Sequence, residues 1–154
     1  MIKAWRIVKA KHADAAFTGA GCQFASGRWH NLMVPVVYCS DSQALAVLET
    51  FVHVLSHAKD IQYVAFELAI PPVVMVDVMS TGTLPEKWRQ QPADAMTQKI
   101  GSDWVRSQAS AVLRVPSVIA PADSNYLLNP QHPDFHRIKI GEAQPFSFDS
   151  RLWK

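Results

Sequence analysis

Three residues of different chemistry recur at short spacing in this chain: Arg28, Tyr38 and Glu49. Arg28 follows Gly27, and glycine permits a tight turn that presents a side chain close to a ligand. An arginine fork matches a phosphate bidentately, which an ammonium does not. A tyrosine offers a flat apolar ring with a polar tip. A carboxylate stabilises positive charge that develops during bond cleavage, or takes up a proton. Together they suit a ligand with anionic groups, a ring, and a bond that breaks with positive charge building up. Each residue also has a plain structural meaning. Arg28 could cap a strand end, Glu49 could snorkel at a helix boundary, and the two could form an ion pair in a module without catalysis.

The elements that must hold them follow from hydrophobic pattern. Val34 to Tyr38 is an apolar, β-branched run that predicts a strand ended by Tyr38, with Pro35 near its start. Ser40, Asp41 and Ser42 offer N-cap oxygens for a helix predicted from Gln43 to about Ala58. Ala44, Val47, Leu48, Phe51, Val52, Val54 and Leu55 form its apolar face, and Glu49 falls about 40° past Leu45 at the edge of that face. Ala4 to Val8 predicts a first strand with Trp5 and Ile7 on one side and Arg6 on the other. Arg6 is either solvated or turned into the pocket of Arg28. Thr18-Gly19-Ala20-Gly21 predicts a flexible turn, without the strand-to-helix context of a dinucleotide fingerprint. Ile61 to Ile70 alternates as a half-buried strand, and Val73 to Val78 predicts another. Glu86 to Gln91 predicts a helical turn, and Asp94 to Ser110 a helix that holds Gly101 as a flaw or a packing contact. Val112 to Ala120 predicts a strand interrupted by Pro116, whose bulge would re-aim Ser117. Asp123 to Pro130 reads as a polar-aromatic loop, with closing strands at Ile138 to Ile140 and Phe146 to Phe148. Strands outnumber helices, which predicts an α+β class.

A competing constellation lies on the same helix. Glu49, His53 and His57 recur every four residues, and two histidines at that spacing can chelate zinc. The arrangement is not HExxH and has no cysteine nearby, so no metal site is expected. With 154 residues the chain predicts one domain, residues 1–154. Hydrophobic residues at 49% and charged residues at 18% exclude a disordered chain. A net charge of +2, with no Lys/Arg-rich run, gives no reason to expect nucleic-acid binding. Cys22 and Cys39 fit two reduced, buried thiols and a cytoplasmic setting. No signal segment or membrane span is evident.

Several stretches, in order, resemble the RES-domain toxins of bacterial toxin–antitoxin pairs. They are Gly27-Arg28-Trp29-His30, Val37-Tyr38-Cys39-Ser40, Ala44-Leu45-Ala46-Val47-Leu48-Glu49, Gly101-Ser102-Asp103-Trp104, Arg114-Val115-Pro116-Ser117, and the run from Asn125 to Pro133. His30 departs from a position where that family more often has asparagine, with little consequence expected. The resemblance implies a compact ADP-ribosyltransferase-like fold, mostly antiparallel sheets with a few inserted helices, and an enzyme that degrades NAD. Cleavage of the nicotinamide–ribose bond would be by hydrolysis or phosphorolysis. The alternative is transfer of ADP-ribose to a protein or nucleic acid. NAD would be substrate, so no cofactor is implied, and inorganic phosphate is a candidate co-substrate. The implied partner is a helix-turn-helix antitoxin that blocks the pocket. Carried over by motif, the site comprises Arg28, Tyr38, Glu49 and Ser117, with Arg6 and Asn125 as further candidate contacts to NAD. Glu49 would stabilise the ribosyl cation, as in glycoside hydrolysis. Arg28 would hold the pyrophosphate, Tyr38 would stack on the nicotinamide or its ribose, and Ser117 would bond the amide or the ribose.

Overall fold

A computed structural model describes residues 1–54 and 59–153. The end of the predicted first helix, and with it His57, lies outside the described residues. Among the described residues eight strands form one sheet: β1 (Ile2–Lys9), β2 (Val37–Ser40), β3 (Tyr63–Ile70), β4 (Val76–Val78), β5 (Val112–Pro116), β6 (Ser124–Leu128), β7 (Lys139–Ile140) and β8 (Gln144–Phe146). Their order is β4-β5-β6-β2-β1-β3-β7, and β8 joins β7 on the outer side of β3. The β4–β5 pair is parallel and the other named pairs are antiparallel. Among the described residues two α-helices, α1 (Gln43–Phe51) and α2 (Ala95–Ser107), are inserted between strand groups, which is the α+β class the sequence predicts.

Strand alternation sorts the core onto two faces. One face carries Ala4, Val37, Cys39, Leu68, Ile70, Val112, Tyr126 and Leu128. The other carries two separate clusters. Trp104 and Val105 of α2 pack with Trp29 on Leu113, Val115 and Leu127, while Ala46 of α1 packs with Phe148 on Ile7, Tyr63 and Ala65. β3 is therefore apolar on both faces along much of its length, and its exposed Glu67 pairs with Lys3 at 3.0 Å.

The separation of those clusters traces to one register feature. β1 pairs with β3 along all of Ile2–Lys9, but with β2 only through Trp5 and Ser40. Beyond that point the strands part, and residues 6–9 line a cleft instead.

Several expectations change. Residues 124–128 are a central strand, not a loop: Tyr126, Leu127 and Leu128 are buried, and both edges of the strand are paired. β2 starts at Val37, because Met33 takes a φ of 70° and Val34 N–H closes a turn on Asn31 O, so Pro35 falls outside the sheet. Tyr38 thus lies within β2 rather than at its end. β5 ends at Pro116, which closes the strand rather than interrupting it. Only Val76–Val78 of the predicted strand from Val73 pairs. On α1, Leu45 and Ala46 are buried, whereas Leu48 is 42% and Val52 59% exposed. The sheet covers a narrower strip of the helix than its broad apolar face suggested, and that strip runs toward Glu49.

Candidate active site

The cleft has a volume of about 800 Å³, within the usual range for small-molecule sites. Arg6, Arg28, Tyr38, Glu49 and Asn125 line it. Its other walls come from His53, in the turn just after α1, and from Gln91, Pro92 and Ala93 of the loop before α2.

Arg28 reaches the cleft from a tight turn. Gly27 and His30 form a bridge, with Gly27 N–H donating to His30 O at 3.1 Å. A Cβ on Gly27 would lie 2.7 Å from both the His30 ring and the Tyr38 hydroxyl, so only glycine fits. Next to it, a Cβ on Gly101 would lie 1.7 Å from Trp29 O. The apparent flaw in α2 is therefore the contact that lets the helix back onto this turn. Gln98 of α2 donates to Gly27 O at 3.0 Å, and Ser102 ties both the backbone and the side chain of Asn31. The Arg28 guanidinium donates to Trp88 O at 3.0 Å and Gln90 O at 2.8 Å through one nitrogen. Arg28 thus clamps one wall of the cleft with one amino group. Partial burial pulls its pKa below the ordinary value, and Glu49 across the cleft opposes that shift.

Glu49 is oriented by hydrogen bonds. Ser117 Oγ donates to Glu49 Oε1 at 2.7 Å, and Asn125 Nδ2 donates to the same oxygen at 2.8 Å. Ser40 Oγ donates to Asn125 Oδ1 at 2.8 Å, which leaves the Asn125 amide nitrogen facing Glu49. Ser117 Oγ itself accepts from Ile119 N–H and Ala120 N–H, each at 3.1 Å. Those two donors use the lone pairs of the hydroxyl and send its proton to Glu49. Among the described residues Oε2 has no protein partner, so one carboxylate oxygen is fixed and the other is free for a ligand. The three expected caps divide their work. Ser42 caps α1 by accepting from Leu45 N–H, Asp41 binds Ser124 N–H of β6, and Ser40 serves Asn125.

Arg6 does enter the pocket region, yet two of its donors are spent on Ala16 O at 2.7 Å and Tyr38 O at 2.9 Å. Its guanidinium also lies over the Phe17 ring. The Tyr38 hydroxyl accepts from Trp29 N–H at 3.3 Å and contacts His30 Nδ1 at 2.6 Å. Burial pushes the phenol well above its usual pKa, so the group is neutral and its proton is available to donate. Burial likewise pushes the Cys39 thiol up to about 12, which rules out a thiolate nucleophile beside Arg6.

Five of the six residues singled out in the sequence line the cleft. Ser117 does not: it is 0% exposed and sits behind Glu49, a correction to its expected place against the substrate. Its position just past the end of β5 turns it onto α1. Sequence reasoning gave no site role to Ser40, Gln98 or His30. It also missed the Trp88 and Gln90 carbonyls, since a backbone acceptor leaves no mark on residue type. Among the described residues no group of three metal-ligating side chains forms; His53 is exposed, and His57 lies outside that set. No helix among them is long and apolar enough to cross a membrane.

Comparison with known proteins bears on this geometry. The RES domain family model matches residues 3–149. A Sphingobium protein named "Prs ADP-ribosylating toxin" is 38% identical over 152 residues, covering 96% of this chain and 94% of its own length. A "Toxin Res" of Photorhabdus laumondii is 36% identical over 151 residues, covering 97% and 96%. Among solved structures, the crystal structure of the M. tuberculosis MbcT–MbcA toxin–antitoxin complex contains a chain that superposes with a TM-score of 0.74. It covers 94% of this chain and 84% of its own, at 16% identity, and so speaks to the fold.

Proposed function

The chain belongs to the RES domain family of toxins, and on that premise we propose that it cleaves the bond between nicotinamide and ribose in NAD. The observation that carries this reading is the pairing of Glu49 and Arg28 across one cleft. Glu49 has Oε1 held by two donors and Oε2 open.

In this reading Arg28 meets the pyrophosphate with the donors not used on Trp88 O and Gln90 O. The Tyr38 ring faces the nicotinamide end as an apolar surface. The C1′–N bond breaks with its electron pair leaving on nicotinamide, which departs neutral. Positive charge then builds on the ribose, and Glu49 Oε2 stabilises it. Water or inorganic phosphate supplies the oxygen that bonds to C1′; water gives up its proton to bulk solvent or through Glu49. Fixing Oε1 in advance means the carboxylate need not reorganise as charge develops. Ser117 and Asn125 serve by holding Glu49. NAD is consumed, so no resident cofactor is required.

The biological role that fits is a toxin that depletes NAD and arrests growth, held in check by an antitoxin that covers the cleft. The toxin names of the relatives and the toxin–antitoxin complex of the structural neighbour support this role. A second reading has one specific support, the ADP-ribosylating name of the Sphingobium relative. There the same cation would be captured by a nucleophile on a protein.

The deciding experiment measures nicotinamide release from NAD by the purified chain, with and without inorganic phosphate, and with labelled NAD in a bacterial lysate. Free ADP-ribose or its 1″-phosphate is the expected product. Label appearing mainly on protein would favour the second reading, and no nicotinamide release by folded protein would defeat both.

A further inference from the structure

His30 is a buried titratable residue that the proposed chemistry does not use. Its ring spans the Arg28 turn. Nε2 lies 3.0 Å from Ala25 O, and Nδ1 lies 2.6 Å from the Tyr38 hydroxyl. A carbonyl only accepts, so Nε2 carries the proton. The ring is neutral, because burial lowers its pKa. Nδ1 must then accept, and Tyr38 O–H donates to it. The tyrosine oxygen takes Trp29 N–H in return. The backbone joins in through the bond from Gly27 N–H to His30 O. Ala25, Gly27, Trp29 and Tyr38, which surround Arg28 in sequence and in space, are thus all tied to one another through His30 or its tyrosine partner.

We propose that His30 is a positioning residue: by bridging Ala25 and Tyr38 across the turn, it fixes where the Arg28 guanidinium meets an anionic ligand. The ligand is the one assigned above, so this inference rests on that reading, although the geometry stands without it. A residue that acts only through Arg28 is expected to shift affinity and not turnover, and to lose its effect once Arg28 is gone.

The test is a double-mutant cycle on the full chain, reading NAD affinity by calorimetry and KM and kcat by nicotinamide release. His30→Leu fills the space without hydrogen bonds. It is expected to raise KM about tenfold while kcat stays within roughly threefold, and to change affinity by less than about twofold in an Arg28→Ala background. His30→Asn, which keeps an acceptor near the Tyr38 hydroxyl, is expected to restore part of the affinity. An unchanged KM in His30→Leu, or the same loss in both backgrounds, overturns the proposal. If His30→Leu does not fold, His30→Ala, which also removes both ring hydrogen bonds, completes the cycle under the same criteria. If the wild-type chain neither binds nor cleaves NAD, the functional reading fails on its own. The crystal structure of His30→Leu, or of His30→Ala, then decides the positioning role: a displaced Arg28 turn supports it, and an unmoved one overturns it.

Discussion

The two arms of the cleft are held by different physics. The cationic arm is held by close packing on top of its hydrogen bonds: Gly27 and Gly101 back the Arg28 turn so closely that even the small volume of a Cβ is excluded at both. The anionic arm is held by hydrogen bonds. Glu49 projects from a helix whose neighbouring apolar residues, Leu48 and Val52, are exposed, and it is aimed by Ser117 and Asn125. The difference suits the two tasks proposed for them, a pyrophosphate met by Arg28 and a ribosyl cation met by Glu49. A phosphate charge is present before and throughout the reaction, so a rigid cradle serves it. A transient ribosyl charge is best met by a carboxylate whose dipolar surroundings are already set.

Substitutions that strike one arm and spare the other test this contrast. The largest effect is expected for Glu49→Gln, which keeps shape but removes the charge. Turnover is expected to fall at least ~10²-fold while calorimetric NAD affinity changes little. Full turnover in a folded variant would show that the carboxylate charge is not what acts. Arg28→Ala is expected to do the reverse and weaken NAD binding by about 10–100-fold, the worth of one or two charge-assisted bonds. A loss confined to kcat would contradict the division of labour.

Next comes Gly101→Ala. Its Cβ would meet Trp29 O, so α2 must shift, at a cost of about 1–3 kcal/mol in a denaturant titration. Gly82→Ala, whose Cβ meets nothing within 4 Å, is the control and is expected to cost little. If both cost the same, packing is not what holds the cationic arm.

Ser40→Ala probes the anionic arm at one remove. Losing its bond to Asn125 is worth about 1 kcal/mol, so kcat is expected to drop roughly fivefold with KM nearly constant. A change in KM alone would place Asn125 on the substrate instead.

The smallest effect concerns pH. His30 is neutral when folded, with a pKa below the ordinary 6.5. As pH falls below that value the unfolded chain binds a proton that the folded chain resists, so stability is full above it and declines beneath it. The melting temperature is expected to fall with pH in this window more steeply for wild type than for His30→Asn. Equal slopes would mean that His30 does not titrate on unfolding.

Local structure was legible in residue order. Ala4 to Val8 and Ile61 to Ile70 were legible as strands, which run over Ile2–Lys9 and Tyr63–Ile70, because apolar runs of that length rich in β-branched and aromatic residues mark a strand. Ser42 caps the helix that follows it, since a short side-chain oxygen satisfies the first free N–H groups wherever it sits. Arg28 and Glu49 stood out because few other residues carry their chemistry at such places. β6 did not stand out, because Ser124-Asn125-Tyr126 looks like a loop until strands pair on both its edges. The narrow buried strip of α1, Ser117 behind Glu49, and Gly101 against Trp29 were likewise decided by tertiary structure alone. Each joins residues more than sixty positions apart, or depends on how much of a helix a sheet covers. Local propensity extends over a few residues, whereas a hydrogen bond or a missing Cβ acquires its meaning from the neighbour that folding brings to it.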